Sequence, residues 1–254
     1  MGVGKYTPNL ALYGNMGWMP CIIKQWSCNF RTWSRFTNMC NSRLNKKVFV
    51  WGNVHCNTKL KNWNFQVHTK FKELDMEYLC NTDIILDKNV HKNIENVSFD
   101  IYKRKWHDDL MLNECSKLRT YRLFKNEYAK EEYLSVNMPG KYKCSFAKLR
   151  CGVAPLKIES GRYEGVSIEN RTCFNNICNV NNCIENEKHV YFSVQYMQIC
   201  VVIYLNMLVF FNNNCMQLSD EEIFLFLFSD ENICLYSAKI CHDILFKRKC
   251  ILYR

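Results

Sequence analysis

The chain has 254 residues, 48% of them hydrophobic and 23% charged, enough to bury one large core or two small ones. Only 9 Gly and 4 Pro accompany a 14% aromatic content, which excludes a disordered or fibrous chain. The formal net charge of +10 points to an acidic partner, and it is unevenly spread.

From Met1 to Lys72 there are 11 Lys and Arg and no Asp or Glu. The remainder carries 23 basic against 24 acidic residues, so the positive excess belongs to the opening segment. Five of the six tryptophans lie there too: Trp18, Trp26, Trp33, Trp51 and Trp63. The N-terminal stretch MGVGKYTPNLALYGNMGW has no apolar core or cleavage site of a secretory signal, so an intracellular location, cytoplasmic or nuclear, is expected. In that compartment the 16 cysteines, irregularly spaced, read as reduced thiols and not as a disulfide framework.

QWSCNFRTWSRF places Trp26, Phe30, Trp33 and Thr37 at helical spacing, with Arg31 and Arg35 on another side. A second helix is expected through Trp63, Val67, Phe71 and Leu74, with Lys70 and Lys72 outward. Each tryptophan alone reads as core. The cations together need a polyanion, and nucleic-acid phosphate is the usual intracellular one. Lys24, Arg31, Arg35, Arg43, Lys46 and Lys47 are the expected contacts to an RNA or DNA backbone.

Residues 81–116 read as a connector with a short helix or two, which would divide a basic region, 1–80, from a region 117–254. KLRTYRLFKNEYAKEEYL predicts a helix on Leu118, Tyr121, Phe124, Tyr128 and Leu134, ended by Asn137-Met-Pro-Gly140. Arg119, Arg122, Lys148 and Arg150 form a second cationic set, weakened by Glu127, Glu131 and Glu132. A helix over CSFAKLRC should end near Gly152, and PLKIESGRYEGV carries turn residues. Ile199 to Phe211 is interrupted by Asn206 and too short to span a bilayer; it and Phe224 to Phe228 read as buried core. KICHDILFKRKCILYR predicts a closing amphipathic helix with Ile240, Ile244 and Leu245 on one side, packed against a helix over 196–211. The fold expected is mainly α, with a short hairpin around the cysteine cluster.

The segments GVGKYTPNLALYGNMGW, NSRLNKKVFVW, KLRTYRLFK, AKLRCGVAPLKIESGRYEG and RTCFNNIC…ENEKHV occur in this order. Together they resemble the region downstream of the polymerase palm in the reverse transcriptase polyprotein of jockey-like non-LTR retrotransposons. The resemblance implies a tail segment that holds template RNA or target DNA while a polymerase domain, absent here, does the chemistry. It also implies a Cys/His module. Cys173 and Cys178 match its first pair, Glu185 and Glu187 its acidic approach and His189 its histidine. The fourth ligand should fall near Val194, and Gln195 stands in place of a proline. Cys183 or Cys200 could substitute, which leaves two outcomes open: a zinc ion, or thiols packed as small hydrophobes.

The family's Tyr-x-Asp-Asp string is missing; Asp108-Asp109 follows His107. No clustered carboxylates suit two-metal phosphoryl transfer, and no nucleophile elbow, P-loop or dinucleotide fingerprint occurs. The sequence therefore predicts a non-catalytic nucleic-acid-binding module with no membrane partner and no small-molecule substrate. Its alternative is a decayed transposon-derived frame without activity.

Overall fold

A computed structural model of the chain describes residues 7–56, 61–80, 88–112, 116–173, 183–192, 219–230 and 232–252. Among these residues the architecture is helical: eleven α-helices, four short 3-10 turns and no strand longer than a single bridge. Two compact units divide the chain. A tryptophan-rich unit covers Met19–Trp106, and a cysteine-rich unit combines Met1–Trp18 with His107–Arg254. The tryptophan-rich unit carries 15 Lys and Arg against 7 Asp and Glu, so most of the net charge resides in it.

The tryptophan-rich unit contains α2 (Cys21–Thr37), α3 (Leu44–Val54), α4 (Trp63–Glu73) and most of α5 (Lys88–Met111), inside which the division falls. On α2 the residues Phe30, Trp33 and Thr37 are buried and Trp26 is half-buried, the face expected from their spacing. Trp33 is the centre of the core, with ring centroids 4.8 Å from Phe49, 6.1 Å from Phe71 and 5.0 Å from His68. On α4, Val67 and Phe71 complete the same cluster, followed by Leu74. The Asn62 side chain caps α4 by accepting the Phe65 N–H at 2.8 Å.

The stretch read as a connector is mostly one 24-residue helix, α5. Its Val90, Ile94, Val97 and Ile101 pack on the tryptophan core, a helical repeat that the surrounding Asn, Lys and Asp dilute in composition but not in spacing.

In the cysteine-rich unit, α1 (Asn9–Met16) ends at Gly17, whose φ of 60° supplies the left-handed C-cap. The helix expected over KLRTYRLFKNEYAKEEYL does not form as one piece. It is replaced by a 3-10 turn at Ser116–Leu118, a single turn α6 (Tyr121–Phe124) and a 3-10 turn at Glu132–Leu134. The physical reason is Lys125, which is buried after α6 and donates to Ala129 O at 2.7 Å and to Glu131. That contact curls the chain where a helix would extend it.

α7 (Gly140–Arg150) stops at Gly152 as the sequence suggests, with φ +66° there. The turn-rich PLKIESGRYEGV nonetheless makes a short helix, α8 (Lys157–Tyr163). After α9 (Glu187–Phe192) come α10 (Asp220–Ser229), opened by a Ser219/Glu222 capping box, and α11 (Cys234–Leu252). Phe224, Leu227 and Phe228 of α10 are buried with Tyr133, Phe146, Leu149, Val190, Tyr191 and Ile244 in one core. α11 packs along α7 and against α10; the expected partner segment 196–211 lies outside the described residues. No described helix is long and apolar enough to cross a membrane.

Candidate nucleic-acid interface

α2 is two-faced. Its buried arc is Ile23, Ser27, Phe30, Trp33, Ser34 and Thr37, and the opposite arc carries Lys24, Cys28, Arg31 and Arg35 at i, i+4, i+7 and i+11. The three cations are exposed and form no ion pair with a described residue, so a positive stripe about 16 Å long runs along the helix. Arg43 and Lys47, also exposed, stand one turn apart at the start of α3.

Lys46 departs from the expected set. It is buried; its Nζ donates to Thr37 O at 2.7 Å and lies 5.6 Å from the Phe49 ring centroid. It caps the C-terminal end of α2, where a cation meets the negative end of the helix dipole, and offers no charge to a ligand.

α3 shows solvent an unusual face. Leu44, Val48, Trp51 and Val54 are all exposed, and the Trp51 ring stacks on His55 at 4.4 Å. Trp18 and Trp51 are therefore not core residues, whereas Trp33 is fully buried. α5 adds Lys88, Lys92 and Lys103 on the side away from Ile94, although Lys103 pairs with Asp100 at 3.2 Å. Those cations follow directly from the repeat that marks α5 as a helix.

The second cationic set is largely committed inside the cysteine-rich unit. Arg119 grips Glu187, with contacts at 2.5 and 3.2 Å. Arg122 donates to the carbonyls of Leu110 at 2.7 Å and Leu112 at 2.9 Å. Arg150 is buried and bonds Glu131 at 2.5 Å and the carbonyls of Phe228 and Phe124. Lys148 differs, being half-exposed beside a cleft.

Of the expected metal donors, Cys178 and the Val194 position lie outside the described residues. An isolated antiparallel bridge joins Thr172 to Ile184, and the Cys173 N–H donates to Cys183 O at 2.8 Å. Cys173 and Cys183 therefore oppose each other on one face of this minimal ribbon, all that the described residues hold of the expected hairpin. Cys173 is buried in the core cluster, as are Cys234 and Cys241.

His189 is buried, its Nε2 has no hydrogen-bond partner among the described residues, and burial lowers its pKa against the opposing pull of Glu185. Among the described residues no three His, Cys, Asp or Glu side chains stand close enough to hold a metal, and Cys178, one of the four expected donors, lies outside them. Burial raises two other thiols of this unit: Cys151 is pushed up to about 11, and Cys241, bonded to Tyr191 Oη at 2.7 Å, is also raised. Thiols so shifted stay protonated and pack as small apolar groups.

The acidic residues of the motif are both engaged in ion pairs. Glu185 is buried, accepting two bonds from Arg248 at 2.7 Å each and the Lys157 N–H at 2.6 Å. Glu187 is held by Arg119. No protein-family model matches this chain, and neither a curated protein nor a solved structure is similar to it.

Proposed function

We propose that the chain is a non-catalytic nucleic-acid-binding module that grips the phosphate backbone without reading sequence, related to the tail of non-LTR retrotransposon reverse transcriptases. The observation that carries this reading is the α2 stripe of Lys24, Arg31 and Arg35, exposed and unneutralised. Such a stripe gains affinity by releasing the counterions condensed on a nucleic acid. Arg43 and Lys47 extend the same charge. The polymerase chemistry belongs to another domain in this account, and no metal is required of the described residues.

The test is fluorescence anisotropy of single-stranded RNA and duplex DNA with the full chain across a salt series. Log affinity should fall linearly with log salt, by about 0.9 for each duplex phosphate neutralised. Replacing Lys24, Arg31 and Arg35 with Ala, all at exposed positions, should make that slope shallower by about 2 to 3. A salt-independent affinity, or an unchanged slope in the triple variant, overturns the proposal. The second reading, a decayed frame, draws on Val194 at the expected ligand position. It predicts no binding even at low salt.

A further inference from the structure

Between α7, α8 and α11 the cysteine-rich unit holds a cleft of about 690 Å³, within the usual size range of ligand sites. Lys148, Lys157 and Lys249 line it, together with Ser160 and Ser145, whose hydroxyl lies 3.3 Å from His242 Nδ1. The lining acid is Glu164, an exposed residue 3.8 Å from Lys157 Nζ. Arg248, also in the wall, is already neutralised by Glu185. Among the described lining residues, three lysines thus accompany one acid. An aromatic ledge completes the rim: Phe246 is 59% exposed and stacks on His242 at 6.2 Å with an interplanar angle of 27°, and His242 in turn meets Tyr142 at 5.3 Å.

From this juxtaposition we infer that the cleft binds a nucleotide, its phosphate on Lys148, Lys157 and Lys249 and its base stacked on Phe246. Each part answers one half of the ligand. Ammonium groups and hydroxyls satisfy phosphate oxygens, and the exposed ring supplies a flat apolar surface that accepts any base. Glu185 sets the geometry, since one carboxylate holds both the first residue of α8, Lys157, and Arg248 of α11. The same chemistry fits a free nucleotide and a 5′-phosphorylated strand end. The inference does not depend on the α2 stripe, which belongs to the other unit, and each can fail alone.

Isothermal titration of the full chain with AMP, inorganic phosphate and 5′-phosphorylated tetrathymidylate tests it. AMP or the tetranucleotide should bind at least about tenfold more tightly than phosphate, because stacking adds to the ionic contact. Phe246→Ala should remove most of that advantage, about tenfold, while leaving phosphate binding as it was. Lys148→Ala with Lys249→Ala should weaken all bound ligands, and Arg31→Ala with Arg35→Ala should leave AMP unaffected. Binding of AMP alone assigns the cleft to a free nucleotide, and binding of the tetranucleotide alone assigns it to a strand end. Absence of binding by both overturns the inference. So does AMP binding no tighter than phosphate, or binding indifferent to Phe246 and the two lysines.

Discussion

Replacing Glu185 is the sharpest perturbation of the cysteine-rich unit. Its carboxylate is 2% exposed and its partner Arg248 only 10% exposed by side chain, so the pair is removed from water. Glu185→Gln leaves the guanidinium buried without a counter-charge, and breaking a buried pair on one side costs about 3 to 5 kcal/mol. Glu185→Ala also orphans the Lys157 N–H, bonded at 2.6 Å, adding about 1 to 3 kcal/mol. Against a typical total of about 5 to 15 kcal/mol, that is enough to open the unit locally. Hydrogen exchange read by mass spectrometry separates the two units. Peptides from α8 and α11 should lose roughly two to nearly four orders of magnitude of protection in Glu185→Gln, while α2 to α4 keep theirs. The double variant Glu185→Gln with Arg248→Met should recover part of the loss, because the stranded charge is gone. A change below about 1 kcal/mol in the single variant, or a double variant worse than the single by the full cost of a second lesion, would refute the reasoning.

His189 has its pKa lowered below 6.5 by burial, so the unfolded chain takes up a proton at higher pH than the folded one. Stability from this residue is therefore present above pH 6.5 and lost as pH falls through the depressed value. His189→Gln should flatten the fall in urea midpoint between pH 7 and pH 5, and an unchanged pH slope would exclude the residue as its source. Gly152→Ala should cost more than about 1 kcal/mol, since φ is +66° and the added Cβ would lie 2.4 Å from Lys117 O. A neutral result by thermal unfolding would contradict that geometry.

Where apolar spacing alone decides burial, the sequence was readable. Phe30, Trp33 and Thr37 on α2, Val67 and Phe71 on α4, and Ile240 and Ile244 on α11 all face their cores. α5 is equally regular through Val90, Ile94, Val97 and Ile101, but its polar composition masks that period. The reverse holds at Leu118 to Leu134, where helical spacing exists and the buried Lys125–Glu131–Arg150 network overrides it. The α2 stripe needed nothing beyond one helix to be legible. That Lys46, Arg119 and Arg150 are internal could not be, because each depends on acceptors brought in by tertiary folding: Thr37 O, Glu187 and Phe228 O. The cleft between α7, α8 and α11 is not legible in the sequence for the same reason, its wall being assembled from positions as much as about a hundred residues apart.

The bare apolar side of α3 sets how the protein behaves in concentrated solution. Exposed Leu44, Val48, Trp51 and Val54 would tend to adhere to one another on neighbouring molecules, and the charges of Arg43 and Lys47 beside them would oppose that approach. Added electrolyte shortens that repulsion to within about 10 Å at 0.1 M and leaves the stickiness intact. On the proposed reading, ionic strength would act in opposite directions on two processes, loosening nucleic acid while favouring self-association, and dilute protein would report the first without the second.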